Sequence, residues 1–379
     1  MQMDRNQIIR STKRLVVKVG TNVLTTQDGL LNRERIHDLV EEICEIRKRG
    51  VDVTLVSSGA VGAGMGRLGL KSRPKLNTEL QAVAAIGQGT LIQCYEQEFD
   101  AKGVVVAQVL LTANDMAQRE RYLNVRNTFF HLLSIGALPI VNENDTVSSA
   151  ELSLSFGDND RLASIVANLF SAPLLVLLTD VDGLFTGDPS LPESKLVPEV
   201  KRWSSDLMQM VAEKKSGRSK GGMSSKLKAA RVITNSGGSM IIANGDDPRV
   251  LTKIYDGVDC GTFFFPQRQL SARKRWFRFA QAPSGVLVID DGAVKALEEG
   301  GKSLLPIGVV RCLGDFKKGD VVSIVDQNNR EIARGLSNYS YKDGVVICGR
   351  PSSQLSQALG TDVSPYEEFV HRNNIQLSK

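Results

Sequence analysis

The first 245 residues alternate between short apolar runs and longer segments with helical spacing. The apolar runs, rich in Val, Ile and Leu, are Leu15–Val19, Val53–Val56, Val104–Leu111, Leu138–Val141, Leu174–Leu178 and Met240–Ala243. The segments with helical spacing include Arg33–Lys48, Glu79–Phe99, Arg121–Leu133 and Asp160–Leu169. Continuous apolar strands separated by helices are typical of a parallel sheet that is covered on both faces. The pattern predicts a three-layer α/β fold with a mainly parallel sheet.

The pattern changes after Gly261. A basic stretch, Arg268–Arg278, is followed by Pro283 and then by short apolar runs that are separated by turn residues. These runs predict strands at Gly285–Asp290, Gly308–Cys312, Asp320–Val325, Arg330–Arg334 and Val345–Cys348. Short strands of this kind favour a small domain of the β-barrel type. We therefore expect a first domain at 1–262, a linker at 263–283, a second domain at 284–362 and a tail at 363–379.

Composition and charge narrow the class of protein. A chain of 379 residues with 42% hydrophobic and 23% charged residues is ordinary for a globular protein of two domains. The net charge of +5 suits phosphate-bearing ligands but is too small to indicate nucleic acid by itself. The N-terminus is polar, and no apolar run reaches the roughly 18 residues of a membrane span. We expect a cytoplasmic protein that is not in a membrane.

The cysteines give no sign of a shared site. The five are Cys44, Cys94, Cys260, Cys312 and Cys348. No two of them have C-x-x-C spacing, so the sequence indicates neither a disulfide framework nor a zinc site. The expectation is structural thiols that stay reduced in the cytoplasm.

Each predicted strand of the first domain ends in a polar cluster. The clusters are Lys18–Asn22, Ser57–Ala60, Thr112–Asp115, Asn142–Asp145, Thr179–Gly183 and Asn244–Asp246. Ligands of open α/β sheets bind beyond the carboxyl ends of the strands, so these clusters should converge at one edge. Loops are polar in general, which explains one or two such clusters well and six of them badly. This edge is the predicted ligand site.

Two features of the sequence indicate a bound phosphate. Lys18 lies inside an apolar run, where a lysine needs a negative partner unless the strand is an exposed edge. The segment Ser219–Ala230 places two glycines before a predicted helix start, with Ser224 and Ser225 as candidate caps and Lys226 in the first turn. Backbone amides at such a start bind phosphate, although an ordinary capped surface helix explains this segment equally well.

Acidic residues surround the same strand ends. They are Asp145, Asp158, Asp160, Asp180 and Asp182. Carboxylates next to phosphate repel it unless a cation is present, and Mg²⁺ prefers carboxylate and phosphate oxygens. The sequence predicts Mg²⁺ without assigning its ligands. A helix cap at Asp158 or Asp160 and a turn at Asp182 are the structural alternatives.

Other motifs are weaker. Gly64, Gly66 and Gly69 match the spacing of a dinucleotide-binding loop, but Ser57–Ala60 intervenes between the strand and the first glycine. The sequence contains no P-loop, and its three histidines are isolated. Neither a P-loop enzyme nor a Ser/His/Asp hydrolase is indicated.

Taken together, the motifs resemble the amino acid kinase superfamily, and most closely its glutamate 5-kinase family. The segments that carry the resemblance are Val16–Leu24, Val56–Ala60, Gln88–Gln93, Leu110–Thr112, Arg119–Asn124, Val141–Val147, Phe156–Asp160, Leu178–Asp180 and Gly221–Lys226. The C-terminal region resembles a PUA domain, a module of RNA-modifying proteins, and Arg273–Trp276 and Lys302–Pro306 match the family's extended form.

The resemblance implies the amino acid kinase fold and transfer of phosphate from ATP, with Mg²⁺, to the side chain of L-glutamate in proline synthesis. It implies inhibition by proline and a homo-oligomer, either dimer or tetramer. It also implies catalytic roles for Lys18, Lys226 and Asp160, and glutamate binding by Ser58, Asp145 and Asn159. The nucleotide-binding residues that it implies are Lys18, Thr179, Asp180, Lys220, Gly221, Gly222, Met223, Ser224, Ser225 and Lys226.

Two alternatives stay open at this point. One is another amino acid kinase, acting on acetylglutamate, aspartate, carbamate or a nucleotide, although the C-terminal domain and Asn142–Asp145 argue against it. The other is an RNA-binding protein, based on the β-rich domain and the basic stretch Arg268–Arg278. Trp276, Phe277 and Phe279 favour a linker packed on the first domain instead.

Overall fold

The computed structural model divides into two compact units. Residues 1–115 and 123–270 form the first unit, and residues 116–122 and 271–379 form the second. The residues that the structure describes are 3–112, 115–116, 118–147, 159–170, 173–204, 207, 222–267, 283–360 and 366–378. Among them, no helix has both the length and the apolar character needed to cross a membrane.

The first unit is built on one sheet of eight strands. The strands are β1 (Arg14–Val19), β2 (Asp52–Val56), β3 (Val106–Leu111), β4 (Leu138–Glu143), β5 (Leu174–Thr179), β6 (Glu199–Val200), β7 (Ser239–Asn244) and β8 (Thr262–Phe264). Their order is β3-β4-β2-β1-β5-β7-β8-β6, and every pair is parallel except β7 with β8. The predicted parallel sheet is confirmed. The short strands β6 and β8 were not predicted, and β8 starts at the boundary that the sequence analysis gave to the linker.

Helices follow the strands, as expected for this sheet. They are α1 (Arg5–Ser11), α2 (Thr21–Leu24), α3 (Arg33–Lys48), α4 (Ala60–Leu68), α5 (Asn77–Asp100), α6 (Arg119–Ser134), α7 (Asn159–Ala167), α8 (Met223–Asn235) and α9 (Val250–Tyr255). Helix α3 starts where predicted because the side chain of its N-cap, Asn32, accepts a hydrogen bond from the Arg35 amide. Basic Arg47 and Lys48 lie in its last turn, where they complement the helix dipole.

Helices α4 and α5 pack with their backbones in contact. A Cβ atom added to Gly64 would lie 2.0 Å from the Val83 carbonyl oxygen, and one added to Gly87 would lie 1.8 Å from that of Ala60. Glycine is therefore required at both positions, because any side chain would collide with backbone. The glycines that matched a dinucleotide-binding loop thus belong to helix α4 and its C-cap, and Gly64 among them serves helix packing. Because Ala60 is the first residue of α4, its contact with Gly87 fixes the start of this helix, which follows β2 after Ser57–Gly59.

The second unit has its own sheet and its own core. Its strands are β9 (Gly285–Ile289), β10 (Val309–Gly314), β11 (Val321–Val325), β12 (Glu331–Leu336) and β13 (Ile375–Leu377), in the order β10-β9-β11-β12-β13. Helices α10 (Asp291–Glu298), α11 (Tyr341–Ile347) and α12 (Leu355–Leu359) accompany them. Strands β9 and β11 are parallel, and the other pairs are antiparallel. Strand β13 lies in the segment that the sequence analysis called a tail.

One predicted strand of this unit is wrong. Val345–Cys348 was predicted as a strand from its apolar run, whereas most of it belongs to helix α11. The side chain of Ser340 accepts a hydrogen bond from the Asp343 amide and caps this helix at its start. Val345 and Val346 are exposed while Ile347 is buried, so the run reflects a helix with one buried face.

The contact between α4 and α5 generates a first prediction. Gly87→Ala should destabilise the protein by about 1–3 kcal/mol or more, because the helices must separate to admit a methyl group. Gly89→Ala is the matched control on the same helix, since nothing lies within 4 Å of its added Cβ. That change should stabilise the protein by about 0.5–1 kcal/mol. Urea unfolding measures both, and equal stabilities of the two variants would contradict the packing described.

Candidate active site

A cavity of about 830 Å³ lies at the carboxyl ends of the central strands of the first unit. The predicted site residues that line it are Lys18, Ser58, Asp145, Asn159, Thr179, Asp180 and Lys226. They come from four strand ends and from the starts of α7 and α8, which are far apart in the sequence. Four of the six predicted polar clusters therefore line one cavity, whereas neither Asn244–Asp246 nor the described residues of Thr112–Asp115 line it.

The wall of this cavity contains a buried ionic group of three residues. The Nζ atom of Lys18, on β1, lies 2.6 Å from Oδ1 of Asp160 in the first turn of α7. Lys226, in α8, donates from its Nζ atom to Oδ2 of the same carboxylate at 3.2 Å. Asp160 is fully buried, and the two lysines are 5% and 8% exposed. The negative partner that Lys18 was expected to need is thus Asp160.

The charges of the two lysines determine the protonation state of Asp160. Burial alone would raise the pKa of Asp160, but the positive charges of Lys18 and Lys226 and their hydrogen bonds outweigh it and lower the pKa. The carboxylate is therefore ionised at neutral pH and holds two ammonium groups side by side. Two positive charges against one negative charge leave the wall with a net charge of +1. Such a wall favours an anion in the cavity.

Amide and hydroxyl groups form a second part of the site. Asn159 donates from Nδ2 to the Ser57 carbonyl at 2.8 Å, to Oγ of Ser58 at 3.0 Å and to Oδ1 of Asn142 at 3.1 Å. Asn142 in turn donates to Oε1 of Gln88 at 2.8 Å. This network connects the ends of β2 and β4 with α7, and it orients Ser58 at the start of α4. Asn142 and Gln88 lay in segments that carried the resemblance, although neither was a predicted site residue.

The part of the cavity around Asp145 contains both acidic and basic residues. Burial, reinforced by the nearby charge of Glu143 and opposed by that of Arg73, raises the pKa of Asp145 to about 6. Arg73 and Lys75 line the cavity from the segment between α4 and α5. Neither residue was predicted, because both side chains come from a connection between helices and not from a strand end.

The third part of the site follows β5. The carboxylate of Asp180 accepts hydrogen bonds from Nδ2 of Asn22 at 2.8 Å and from the Thr179 hydroxyl at 3.0 Å. Burial opposes ionisation of Asp180, but these hydrogen bonds outweigh it and lower the pKa. Asn22 lies in helix α2, immediately after β1. Asp180 is therefore a fixed negative charge at the cavity edge.

Helix α8 begins one turn before Lys226. Its N-cap is Gly222, and Met223, Ser224 and Ser225 form the first turn. The expectation that Ser224 or Ser225 caps the helix is wrong, since both lie inside it and no side chain caps its start. The first-turn amides can therefore serve an anion. The predicted site residues Lys220 and Gly221, and the candidate Asp158, lie outside the described residues.

The described residues do not build a metal cage. No group of three or more His, Cys, Asp or Glu side chains is placed among them to hold a metal ion. Mg²⁺ commonly binds proteins through one or two carboxylates together with substrate phosphates and water. The ionised carboxylate of Asp180 fits that mode. Asp160 fits it less well, because both of its oxygens face lysines.

The buried ionic group generates a second prediction. Asp160→Asn should destabilise the protein by about 3–5 kcal/mol, because two buried ammonium groups would lose their shared counter-charge. Asp182→Asn is the control, since Asp182 is exposed and accepts a hydrogen bond from Asn244 rather than from a buried cation. That change should alter stability by less than about 0.5 kcal/mol. Urea unfolding followed by circular dichroism tests this, and an unchanged Asp160→Asn protein would refute the structural role.

Comparison with known proteins adds independent findings. The model of the amino acid kinase family matches residues 13–244, and the model of the PUA domain matches residues 285–359. Glutamate 5-kinase of Thermoanaerobacter sp. (strain X514) is 46% identical over 366 residues, which are 96% of this chain and 97% of that protein. Glutamate 5-kinase of Methylococcus capsulatus is 45% identical over 376 residues, 99% of each chain.

A solved structure is also similar. Carbamate kinase from Giardia lamblia bound to AMP-PNP aligns with a TM-score of 0.47 and 20% identity, over 68% of this chain and 100% of that one. This similarity is too low to support a functional argument.

Proposed function

The chain belongs to the amino acid kinase family and, within it, to the glutamate 5-kinases, and on this basis we propose that it phosphorylates the side-chain carboxylate of L-glutamate. The products are L-glutamyl 5-phosphate and ADP, and the reaction opens proline synthesis. The observation that carries the proposal is the pair of buried lysines on one carboxylate, at a cavity that Glu143, Asp145 and Asp180 also line. None of the described residues that line this cavity belongs to the PUA domain at residues 285–359.

The lysines supply the electrostatic part of the chemistry. Phosphoryl transfer needs in-line positioning and compensation of the negative charge on the transferred group, and it needs little covalent help from the protein. Lys18 and Lys226 contact that group in our proposal. Asp160 acts through them, because it holds both Nζ atoms in place before the substrates arrive. No reorganisation is then required during transfer.

The acceptor needs no general base. The side chain of glutamate has an ordinary pKa of about 4.3, so its carboxylate is ionised and nucleophilic at neutral pH. Among the described residues that line the cavity there is no histidine, which agrees with this chemistry. The protein only has to align the carboxylate with the γ-phosphorus of ATP. Alignment of this kind can supply a large part of the rate enhancement.

Glutamate is oriented by groups at both ends. We assign its ammonium to the acidic side of the cavity, where Asp145 and Glu143 lie. Ser58 and Asn159 stand beside the amides at the start of α4 and suit a carboxylate of the substrate. An amino acid whose nitrogen is acetylated has no positive charge for Asp145. This arrangement supports free glutamate over N-acetylglutamate.

ATP is assigned to the region between β5 and α8. Thr179 and Asp180 line the cavity there. Helix α8 starts with Gly222, Met223, Ser224 and Ser225, and we assign the backbone amides of this start to a phosphate. Mg²⁺, when bound with ATP, neutralises charge on the phosphates, and Asp180 is the residue that we assign to it. We include Lys220 and Gly221 among the nucleotide contacts on the resemblance alone.

Regulation and assembly also belong to this proposal. The family resemblance implies inhibition by L-proline and a dimer or tetramer, and we propose both for this protein. Proline can be added to the activity assay described below, and sedimentation measures the assembly. RNA binding by the PUA domain stays a prediction of the sequence analysis, with a salt-sensitive affinity as its expected signature.

The first test of the function is a substrate panel. We expect Mg²⁺-dependent ADP release with ATP and L-glutamate, together with a hydroxamate when hydroxylamine traps the acyl phosphate. Aspartate, N-acetylglutamate and carbamate should give little product. Lys18→Met controls for contaminating kinases. Equal turnover of N-acetylglutamate would contradict the proposal, because Asp145 would then have no ammonium to bind.

The lysines can be tested against a neighbour on the same helix. Lys226→Met should lower kcat by on the order of 10²-fold or more and change KM less, because the charge acts in the transition state. Lys18→Met should behave in the same way. Lys228→Met is the matched control, since Lys228 is exposed and lies two residues further along α8. A Lys226→Met enzyme with an unchanged kcat would exclude a role in transfer.

Asp145 predicts a pH dependence. Its carboxylate must be ionised to bind the substrate ammonium, and its pKa in the free protein is raised to about 6. The ratio kcat/KM for L-glutamate should therefore fall about tenfold per pH unit below roughly pH 6, as the carboxylate takes up a proton. Asp145→Asn should have a higher KM and should lack this fall. Protonation of ATP affects the unaltered protein and Asp145→Asn alike. Identical pH profiles of kcat/KM for the two proteins would therefore refute the assignment of Asp145.

A further inference from the structure

Two cysteines of the second unit lie next to each other although they are far apart in the sequence. The Sγ atoms of Cys312 and Cys348 are 3.1 Å apart, and the residues are separated by 36 positions. Cys312 lies on β10, and Cys348 is the C-cap of helix α11. The spacing gave no hint of this pair, since only the packing of α11 on β10 brings the sulfurs together.

The packing around the pair is close and specific. Cys312 is 6% exposed and belongs to the core of this unit, while Cys348 is half-buried. A Cβ atom added to Gly344 would lie 3.2 Å from Sγ of Cys312 and 2.8 Å from the ring of Phe369. The absence of a side chain at Gly344 therefore lets helix α11 approach the strand closely enough for the two sulfurs to meet.

We propose that Cys312 and Cys348 form a redox-active dithiol, which hydrogen peroxide converts into an intramolecular disulfide. The two sulfurs are already within hydrogen-bond distance, so bond formation requires little movement of the backbone. The partly accessible Cys348 is the sulfur that meets the oxidant, and the buried Cys312 resolves the product. A cluster that would use these thiols to hold a metal ion is absent from the described residues.

The reaction balances in two steps. The Cys348 thiolate attacks one oxygen of peroxide, the O–O bond breaks, and the departing hydroxide takes up a proton to become water. The product is a sulfenic acid on Cys348. Sγ of Cys312 then attacks the Cys348 sulfur, the S–O bond breaks, and the hydroxide leaves as water with the Cys312 proton. Two thiols and one peroxide thus give one disulfide and two waters.

The remaining cysteines are Cys94, which is buried, and Cys44 and Cys260. Burial raises the pKa of Cys44 and of Cys260, which disfavours their reactive thiolates. The hydrogen bond from Cys312 instead lowers the pKa of Cys348, because the thiolate of Cys348 accepts it. Thiolate is the nucleophilic form of cysteine, so Cys348 should react before the others. A thiol reductant reverses the disulfide by exchange.

The crosslink would connect the end of α11 with the edge strand of the sheet. The loop that it closes contains β11, β12 and α11, which include the centre of the sheet of the second unit. Closing a loop of this length restricts the unfolded chain and stabilises the folded one. Oxidation should therefore raise the resistance of the second unit to unfolding, and reduction should return it to its starting value.

The test uses the full-length protein treated with hydrogen peroxide under native conditions. After alkylation of the remaining thiols, we expect the protein to have lost two hydrogens, to retain three alkylated cysteines and to yield a linked peptide pair containing Cys312 and Cys348. Dithiothreitol should restore all five thiols. Circular dichroism checks that each protein tested is folded.

Matched variants identify the pair. Cys348→Ser and Cys312→Ser should each yield no linked peptide, and thiol loss should slow by at least about tenfold in Cys348→Ser. Cys260→Ser, a half-buried cysteine of the first unit, should react like the unaltered protein. The proposal would be overturned if the unaltered protein did not form the Cys312–Cys348 link, or if Cys348 were oxidised further instead. It would also be overturned if thiols were lost equally fast in Cys348→Ser.

Discussion

The site depends on one buried carboxylate that holds two lysines. Asp160 is inaccessible to solvent, and moving such a charge out of water costs several kcal/mol unless partners compensate it. Lys18 on the central strand β1 and Lys226 on α8 provide that compensation, and each lysine is itself buried only because Asp160 is there. The three groups therefore fix one another, so the strand and both helices must meet at this point.

The rest of the cavity is arranged around that constraint. Asn159 precedes Asp160 in α7 and connects the ends of β2 and β4 through hydrogen bonds. The close contact of α4 with α5 fixes the start of α4, next to Ser58, which also lines the cavity. The cavity thus combines the two lysines with separate carboxylates, which suits an amino acid whose carboxylate reacts while its ammonium is held.

Much of the fold and of the site could be predicted from the sequence, and the features that were not predicted have physical explanations. Helix α3 was predicted with its observed ends from its helical spacing, and Lys18 indicated a buried partner because it interrupts an apolar run. Val345–Cys348 was misassigned because a short apolar run does not distinguish strand from helix. Arg73 and the pairing of Cys312 with Cys348 depend on tertiary packing, which local spacing does not encode.

The most direct test of the central claim is a crystal structure with MgADP, aluminium fluoride and L-glutamate, in which the fluoride mimics the phosphoryl group in transit. The account predicts that the Nζ atoms of Lys18 and Lys226 both lie within hydrogen-bond distance of the fluoride, while Asp160 still contacts both lysines. A complex in which the fluoride lies between ADP and glutamate with neither lysine in contact would contradict it.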